Sequence, residues 1–416
     1  MSSNNVKIHK LAHGMTLITE PMKEVSSAAF IFLLPIGAAD DPPQMSGAAS
    51  VLAELIFRGT KDLDNRTLND QLDSLGLHRY NCTASLYSSF GGSLLADNLL
   101  QAIKLYVDVL LRPALQSDQF EPCRELAIQS LDSLEDEPQQ KISLIVREKY
   151  LPYPFGRCVY GKRNELQSLT PDIVKNHWAA RLTPQGAVLA VAGKIDRDQI
   201  QETIERLLGD WSGPTLPVLE KIPPPSLSFH QPYNGAQVHA GFMYHSVPLA
   251  HQDYYAALAA VAILSGGMSS RLFTEVREKR GLCYAVGASL HVIGPYGVIQ
   301  GYLGSTPDHA QQALDVTMTE LTRLADGITE NELERAKIGL RASLIMQGES
   351  TSARALGCVG DYFHLGRVRS LQEIEDGIKN LQVKNVIEYA QNYKPQGITL
   401  VTIGPKPLEI NEQLKK

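Results

Sequence analysis

An internal echo limits how this chain can fold more than any other feature of its sequence. Thr183-Pro-Gln-Gly-Ala-Val-Leu-Ala-Val-Ala-Gly193 returns as Lys394-Pro-Gln-Gly-Ile-Thr-Leu-Val-Thr-Ile-Gly404. At nearly the same offset, Thr83-Ala-Ser-Leu86 returns as Gly287-Ala-Ser-Leu290. Two echoes at nearly one spacing point to a duplicated unit of about half the chain. Between the copies, Pro214, Pro217, Pro223, Pro224 and Pro225 crowd one short stretch that can neither continue a helix nor pair within a sheet. At 416 residues the chain is long enough for two domains, each with its own core. The expected division is therefore 1–211, a proline-rich linker over 212–228, and 229–416.

Within the first half, Gly14–Glu20 and Ser27–Leu34 are rich in β-branched and aromatic residues and read as strands. Asp41-Pro-Pro then opens a helix running to Gly59, with Ala49, Leu52, Leu55 and Ile56 as its apolar stripe. Further helices are expected near 65–75, 97–111, 117–136, 139–150 and 196–208, with strands near 79–95 and 186–193. The second half repeats the mixture: strands over 236–247, 283–304 and 397–403, and helices over 252–264, 307–325, 330–347 and 383–392. Thr329-Glu-Asn-Glu332 carries a capping-box signature before the 330–347 helix. Helices follow runs of strands without regular βαβ alternation, so the class is α+β.

Charge and composition exclude several functions. With 39 Lys+Arg, 45 Asp+Glu and no block of one sign, neither nucleic-acid binding nor attraction to an anionic membrane has a basis. No apolar run reaches the length of a spanning helix, and Met1-Ser-Ser-Asn-Asn-Val-Lys7 lacks the apolar stretch of a secretory signal. Cys82, Cys123, Cys158, Cys283 and Cys358 are scattered singly, as reduced thiols in a cytoplasmic protein would be. No phosphate-binding loop or nucleophile elbow occurs; Gly91-Gly-Ser93 and Ser265-Gly-Gly-Met268 lack the spacing. His239 and His245 share a strand face, with His251 beyond, but no acid accompanies them at ligand spacing, and a polar sheet face accounts for them.

Two segments carry a family resemblance. Gly47-Ala-Ala-Ser-Val-Leu-Ala-Glu-Leu-Ile-Phe-Arg-Gly-Thr60 resembles the zinc helix of the pitrilysin, insulinase and mitochondrial processing peptidase family, usually Gly-Leu-Ala-His-Phe-Leu-Glu-His-Met-Leu-Phe-Lys-Gly-Thr. There the inverted HxxEH motif sets two zinc ligands and a general base on one helix face. Aligned on Phe57-Arg-Gly-Thr60, the two histidine positions are Ser50 and Glu54, and the glutamate base position is Ala53. The family's third ligand, a glutamate on a later helix ending in acids and proline, falls on Ser130 ahead of Glu135-Asp-Glu-Pro138, and its supporting acid on Cys123. A serine and one carboxylate cannot replace two imidazoles and a glutamate for a tetrahedral zinc, and no base stands at 53, so no metal is expected on this chain.

Leu264-Ser-Gly-Gly-Met-Ser-Ser-Arg-Leu-Phe-Thr-Glu-Val-Arg-Glu-Lys-Arg-Gly-Leu-Cys-Tyr-Ala-Val286, by contrast, is similar to the family's C-terminal-domain motif almost residue for residue. That motif implies that Arg277 and Tyr284 reach the zinc site of an opposing domain and bind substrate. An arginine in a charged helix face is ordinarily solvated, and a tyrosine opening a strand ordinarily packs; the surrounding match carries the functional reading. A guanidinium can donate to peptide carbonyls and a phenol to a developing oxyanion, and neither needs a metal on the same chain. Glu332-Leu-Glu-Arg-Ala-Lys337 matches a further family helix.

The resemblance implies two homologous α+β domains, each a mainly antiparallel sheet with helices packed on one side. It also implies a non-catalytic, substrate-binding subunit whose homologous partner carries HxxEH and the zinc, the pair taking an unfolded peptide as an added strand. A scaffold subunit without a peptidase role is the alternative, which the intact 264–286 segment disfavours. An enzyme with a displaced metal site is a third, for which no ligand set is found.

Overall fold

A computed structural model describes residues 5–217 and 219–415. Met1–Asn4, where the signal reading begins, Val218 of the proline-rich stretch, and Lys416 lie outside the described residues. The chain forms two compact units. The first holds the residues up to Asp132, Arg157–Glu220 and Met346–Ser370; the second holds Ser133–Gly156, Lys221–Ile345 and Leu371 onward. The chain thus passes between units inside the proline-rich stretch, but each unit also takes one helical segment from the other half of the sequence.

The first unit is built on a six-stranded sheet of order β1-β2-β6-β3-β5-β4. Its strands are β1 (Lys7–Lys10), β2 (Thr16–Pro21), β3 (Ser27–Leu34), β4 (His78–Thr83), β5 (Ser88–Leu95) and β6 (Val188–Gly193). The second unit has five strands in the order β7-β11-β8-β10-β9. These are β7 (Ser228–Pro232), β8 (Val238–Ser246), β9 (Ala285–Ile293), β10 (Tyr296–Ser305) and β11 (Thr399–Gly404). Apart from the β1–β2 pair, which has no counterpart, the pairings correspond. β6 lies parallel to β2 and antiparallel to β3, and β11 lies parallel to β7 and antiparallel to β8. The echoed strands are β6 and β11, in equivalent places, while the second echo starts at the last residue of edge strand β4 in the first unit and lies inside edge strand β9 in the second. The duplication read from the sequence is thus repeated in the topology, and the α+β class holds.

Successive strand residues face opposite sides, so a strand buried throughout needs cover on both. In β3, Ala28, Phe30, Phe32 and Leu34 join the main core beneath the helices, with Leu52, Ile103, Tyr106 and Ile204. Ala29, Ile31 and Leu33 face the other way, with Ile18, Val188 and Ala190, and Ala355, Cys358 and Val359 of the Thr351–Leu365 helix cover them. Ser350 caps that helix by accepting the Ala353 N–H at 3.2 Å, and Gly366, left-handed at φ 65°, ends it. Arg354 fastens it to β2, its Nε 3.0 Å from both carboxylate oxygens of Glu20. In the second unit the Pro138–Tyr150 helix plays the same part: a Cβ on Gly241 of β8 would meet Ile142 Cγ1 at 3.1 Å.

The helix expected from Asp41 begins later, spanning Ala48–Leu55. The buried Asp41 carboxylate accepts the N–H groups of Gly47 and Ala49, each at 2.7 Å, and so caps the helix from a distance, leaving 41–47 as a turn closed by left-handed Gly47 at φ 95°. The sequence reading missed the helices Arg163–Ser168, Pro171–Arg181, Thr351–Leu365 and Leu371–Lys379 and the edge strands β1 and β7. Among the described residues no helix is long and apolar enough to cross a membrane.

Candidate functional site

In the first unit, the Ala48–Leu55 helix buries Ala48, Ala49, Val51, Leu52 and Leu55, and Ser50, Ala53 and Glu54 share its less buried side. Ser50 Oγ donates to the Val159 carbonyl at 2.5 Å. Ala53 packs against the core and offers no polar side-chain atom. Glu54 Oε1 lies 2.6 Å from Arg58 Nη2 in an i,i+4 ion pair. Cys123, at the position of the supporting acid, is buried beside them. Burial pushes its thiol up to about 11, and the charges acting on it are Arg58 and Glu54. The Ser117–Ser133 helix therefore passes close to the Ala48–Leu55 helix at Cys123. Ser130 itself is exposed, and its hydroxyl donates to the Leu126 carbonyl of its own helix at 2.8 Å.

These residues do not fit a zinc ion. Of the four positions, two are hydroxyls donated to carbonyls, one is a methyl group, and the only carboxylate is neutralised by an arginine. Among the described residues no cluster of three or more His, Cys, Asp or Glu side chains could hold a metal. His239 is buried and bonds Tyr302 Oη through Nδ1 at 2.8 Å, and burial lowers its pKa.

The 264–286 segment of the second unit is built with more care. Arg271 enters a π-helical turn over Phe273–Glu278, where the Lys279 N–H reaches back five residues to the Thr274 carbonyl at 2.9 Å. Glu275 holds the outer side of the turn, with Oε1 2.7 Å from Lys279 Nζ and Oε2 2.7 Å from Arg280 Nη1; these two partners hold its carboxyl below the usual range. Gly281, left-handed at φ 62°, reverses the chain, and its N–H returns to the Arg277 carbonyl at 3.0 Å. Leu282 and Cys283 are buried on either side of the reversal, and the Leu282 carbonyl accepts Ser305 Oγ at 2.5 Å. The backbone of Tyr284 is then fixed by its N–H to the Gly304 carbonyl at 2.9 Å, while its side chain stays 56% exposed. Arg277 is exposed as well, its guanidinium 5.0 Å over the Phe273 ring. A braced frame thus presents a guanidinium and a phenol to solvent.

One clamp at this site escaped the sequence reading. Arg271 Nε and Nη2 meet Glu332 Oε1 and Oε2 at 2.6 and 3.1 Å, and Nη2 also donates to the Gly327 carbonyl at 2.8 Å. Glu332 Oε2 accepts the Thr329 N–H at 2.8 Å, so the predicted capping box exists but its carboxylate serves two elements. Burial works against that charge, yet the bonds from Arg271 and Thr329 hold the carboxyl down to about 2.

Two α+β units of matching topology, the first with a helix face that offers no metal donor set among the described residues, define the class of this chain. The same fold is found in a peptidase M16 inactive domain from Pseudomonas fluorescens, with a TM-score of 0.87, 21% identity and coverage of 98% of this chain and 100% of that one. A protease from Helicobacter pylori also shares it, with a TM-score of 0.85, 19% identity and coverage of 96% and 99%. The profile described as Insulinase (Peptidase family M16) matches residues 15–155, and that described as Peptidase M16 inactive domain matches 168–340. The chain belongs to the M16 family, that of pitrilysin and insulinase, and lacks its catalytic motif. Among curated relatives, an uncharacterized zinc protease of Rickettsia bellii is 26% identical over 416 aligned residues, covering 97% of this chain and 98% of that protein. The uncharacterized zinc protease YmxG of Bacillus subtilis is 23% identical, covering 96% and 98%.

Proposed function

We propose that this chain is the non-catalytic, substrate-binding subunit of a heterodimeric zinc metallopeptidase that acts on unfolded peptides in the cytoplasm. One contrast carries the reading. The four metal and base positions hold Ser50, Ala53, Glu54 and Ser130, each engaged elsewhere or inert, while Arg277 and Tyr284 stand exposed on a fully braced frame. A chain retained only as scaffold has no use for that frame. The zinc and the general base belong to an HxxEH-bearing homologous partner. Arg277 donates to carbonyls of the bound peptide, and Tyr284 Oη donates to the oxyanion as it forms.

The test mixes the chain with an HxxEH chain of similar length from the same cell and follows cleavage of an unstructured peptide. Activity is expected only in the mixture. Arg277→Ala and Tyr284→Phe should leave the complex assembled and lower its turnover, by ~10²–10³ for a lost oxyanion donor. A complex that assembles and cleaves equally well with both variants supports the scaffold alternative; cleavage by the isolated chain refutes the non-catalytic reading.

A further inference from the structure

Leu272 and Val276, on the π-helical turn, are buried in the core of the second unit, whereas Phe273 between them is only half-buried and stands outside that core. Its ring has a charge beside it. The Arg277 guanidinium carbon lies 5.0 Å from the centre of the ring, within the range of a cation–π contact. The two residues are four positions apart, so both side chains rise from one side of the turn.

The acids near this guanidinium do not hold it. Glu275 is taken by Lys279 Nζ and Arg280 Nη1, both at 2.7 Å, and Glu278 is exposed. Of the cations at 277, 279 and 280, two are thus paired within the turn, while the Arg277 side chain makes no hydrogen bond or ion pair among the described residues. A carboxylate in the place of the ring would take two of the five guanidinium N–H donors. The ring attracts the charge through its electron-rich face and leaves those donors for a ligand. It also narrows the rotamers that a long side chain samples in water. Burial pushes the Cys283 thiol up to about 11, and the charge acting against it is that of Arg277, so the guanidinium is near the residue that precedes Tyr284.

We infer that Phe273 is a positioning residue, whose ring holds the Arg277 guanidinium in place with its N–H donors unengaged, ready for the carbonyls of a peptide. The inference rests on the reading of Arg277 as a substrate contact. It adds that an aromatic ring at 273, and not merely an apolar side chain, is required for that contact.

The test uses the complex with the HxxEH chain and compares Phe273→Leu with Phe273→Tyr. Leucine keeps an apolar side chain and removes the ring; tyrosine keeps the ring. A cation–π contact at an exposed site changes the held population by roughly 2- to 5-fold, so Phe273→Leu should lower kcat/KM for an unstructured peptide by about that factor. Phe273→Tyr should keep the wild-type value. In an Arg277→Ala background Phe273→Leu should have no further effect, because no guanidinium is left to hold. A purely structural role would persist in that background and would lower Tm. Wild-type kcat/KM in Phe273→Leu, an equal loss in Phe273→Tyr, a loss that persists in the Arg277→Ala background, or a Phe273→Leu chain that fails to assemble overturns the inference. If Phe273→Leu is silent while Arg277→Ala still depresses turnover, only the role of Phe273 is refuted. If Arg277→Ala is itself silent, the reading of Arg277 as a substrate contact fails and takes this inference with it.

Discussion

Arg271→Ala tests whether the Arg277 and Tyr284 frame is held by its clamp. The two side chains are 9% and 17% exposed, and the substitution removes two charge-assisted bonds to Glu332 and one to the Gly327 carbonyl. Breaking a buried pair from one side costs about 3–5 kcal/mol, because the remaining charge is left without its partner. Glu332 keeps the donors of Thr329, which lowers the expected loss to about 2–3 kcal/mol. For a unit of this size each kcal/mol shifts Tm by roughly 2–4 °C, so calorimetry at pH 7 should show a fall of about 4–12 °C. The pH dependence is the sharper test. The Glu332 pKa is depressed in the folded chain, to about 2, so its contribution is complete above the unfolded value near 4.5 and is lost as pH falls toward 2. The wild type should therefore lose part of its advantage over Arg271→Ala between pH 4.5 and 2.5. A Tm within 1 °C of wild type at pH 7, or a gap that does not narrow in acid, refutes the clamp.

Asp41 and His177 should oppose one another in acid. Burial raises the Asp41 carboxyl to about 7, so its contribution is full below its unfolded value near 3.9 and is lost as pH climbs toward 7. Burial lowers His177 to about 4, so its contribution is present above its unfolded value near 6.5 and is lost as pH falls toward 4. Between pH 4.5 and 6.5 the two slopes cancel, and Asp41→Asn should expose a stability that rises with pH by about 1 kcal/mol per unit; urea unfolding at three pH values reads this, and equal slopes in both proteins contradict it. A chelator should leave Tm unchanged, and added Zn²⁺ should not raise it, because Ser50, Ala53, Glu54 and Ser130 make no donor set. A saturable rise in Tm with zinc would show a ligand set that these residues do not provide.

What was legible in the sequence followed short-range rules. Runs of apolar and β-branched residues between turn formers marked β2, β3, β6 and β11, because a strand buried on both faces has few other ways to be written. The i, i+3, i+4 spacing placed Ser50, Ala53 and Glu54 on one helix face, and in the structure Cys123 lies near Glu54 and Arg58. What was missed depends on partners far along the chain. The start of the Ala48–Leu55 helix is set by a carboxylate several residues upstream, which outweighs the prolines at 42 and 43. The Thr351–Leu365 helix carries Gly357 and Gly360, poor helix formers, and exists because its Ala355, Cys358 and Val359 face fits the sheet. Glu332 was read as a cap, which it is; no local pattern tells that its other oxygen binds Arg271, 61 positions away.

The exchange of helices makes one further consequence testable. A duplicated chain with a proline-rich middle invites the view that either half could fold alone. Yet Ile18, Ala29, Ile31, Leu33, Val188 and Ala190 of the first sheet are buried only because the 351–365 helix, encoded in the second half, lies over them. Residues 1–217 alone would present that face as a contiguous apolar patch, well beyond what a monomer tolerates in water. The Arg354–Glu20 pair would go with it, leaving Glu20 of β2 without its bidentate partner. A 1–217 fragment should therefore associate or unfold, and adding a 346–370 peptide should restore a monomeric, cooperatively melting species in sedimentation and calorimetry. If 1–217 is monomeric and melts cooperatively without the peptide, the second face of the sheet does not need its cover, and the interleaving is decoration on two independent domains rather than the reason the halves stay on one chain.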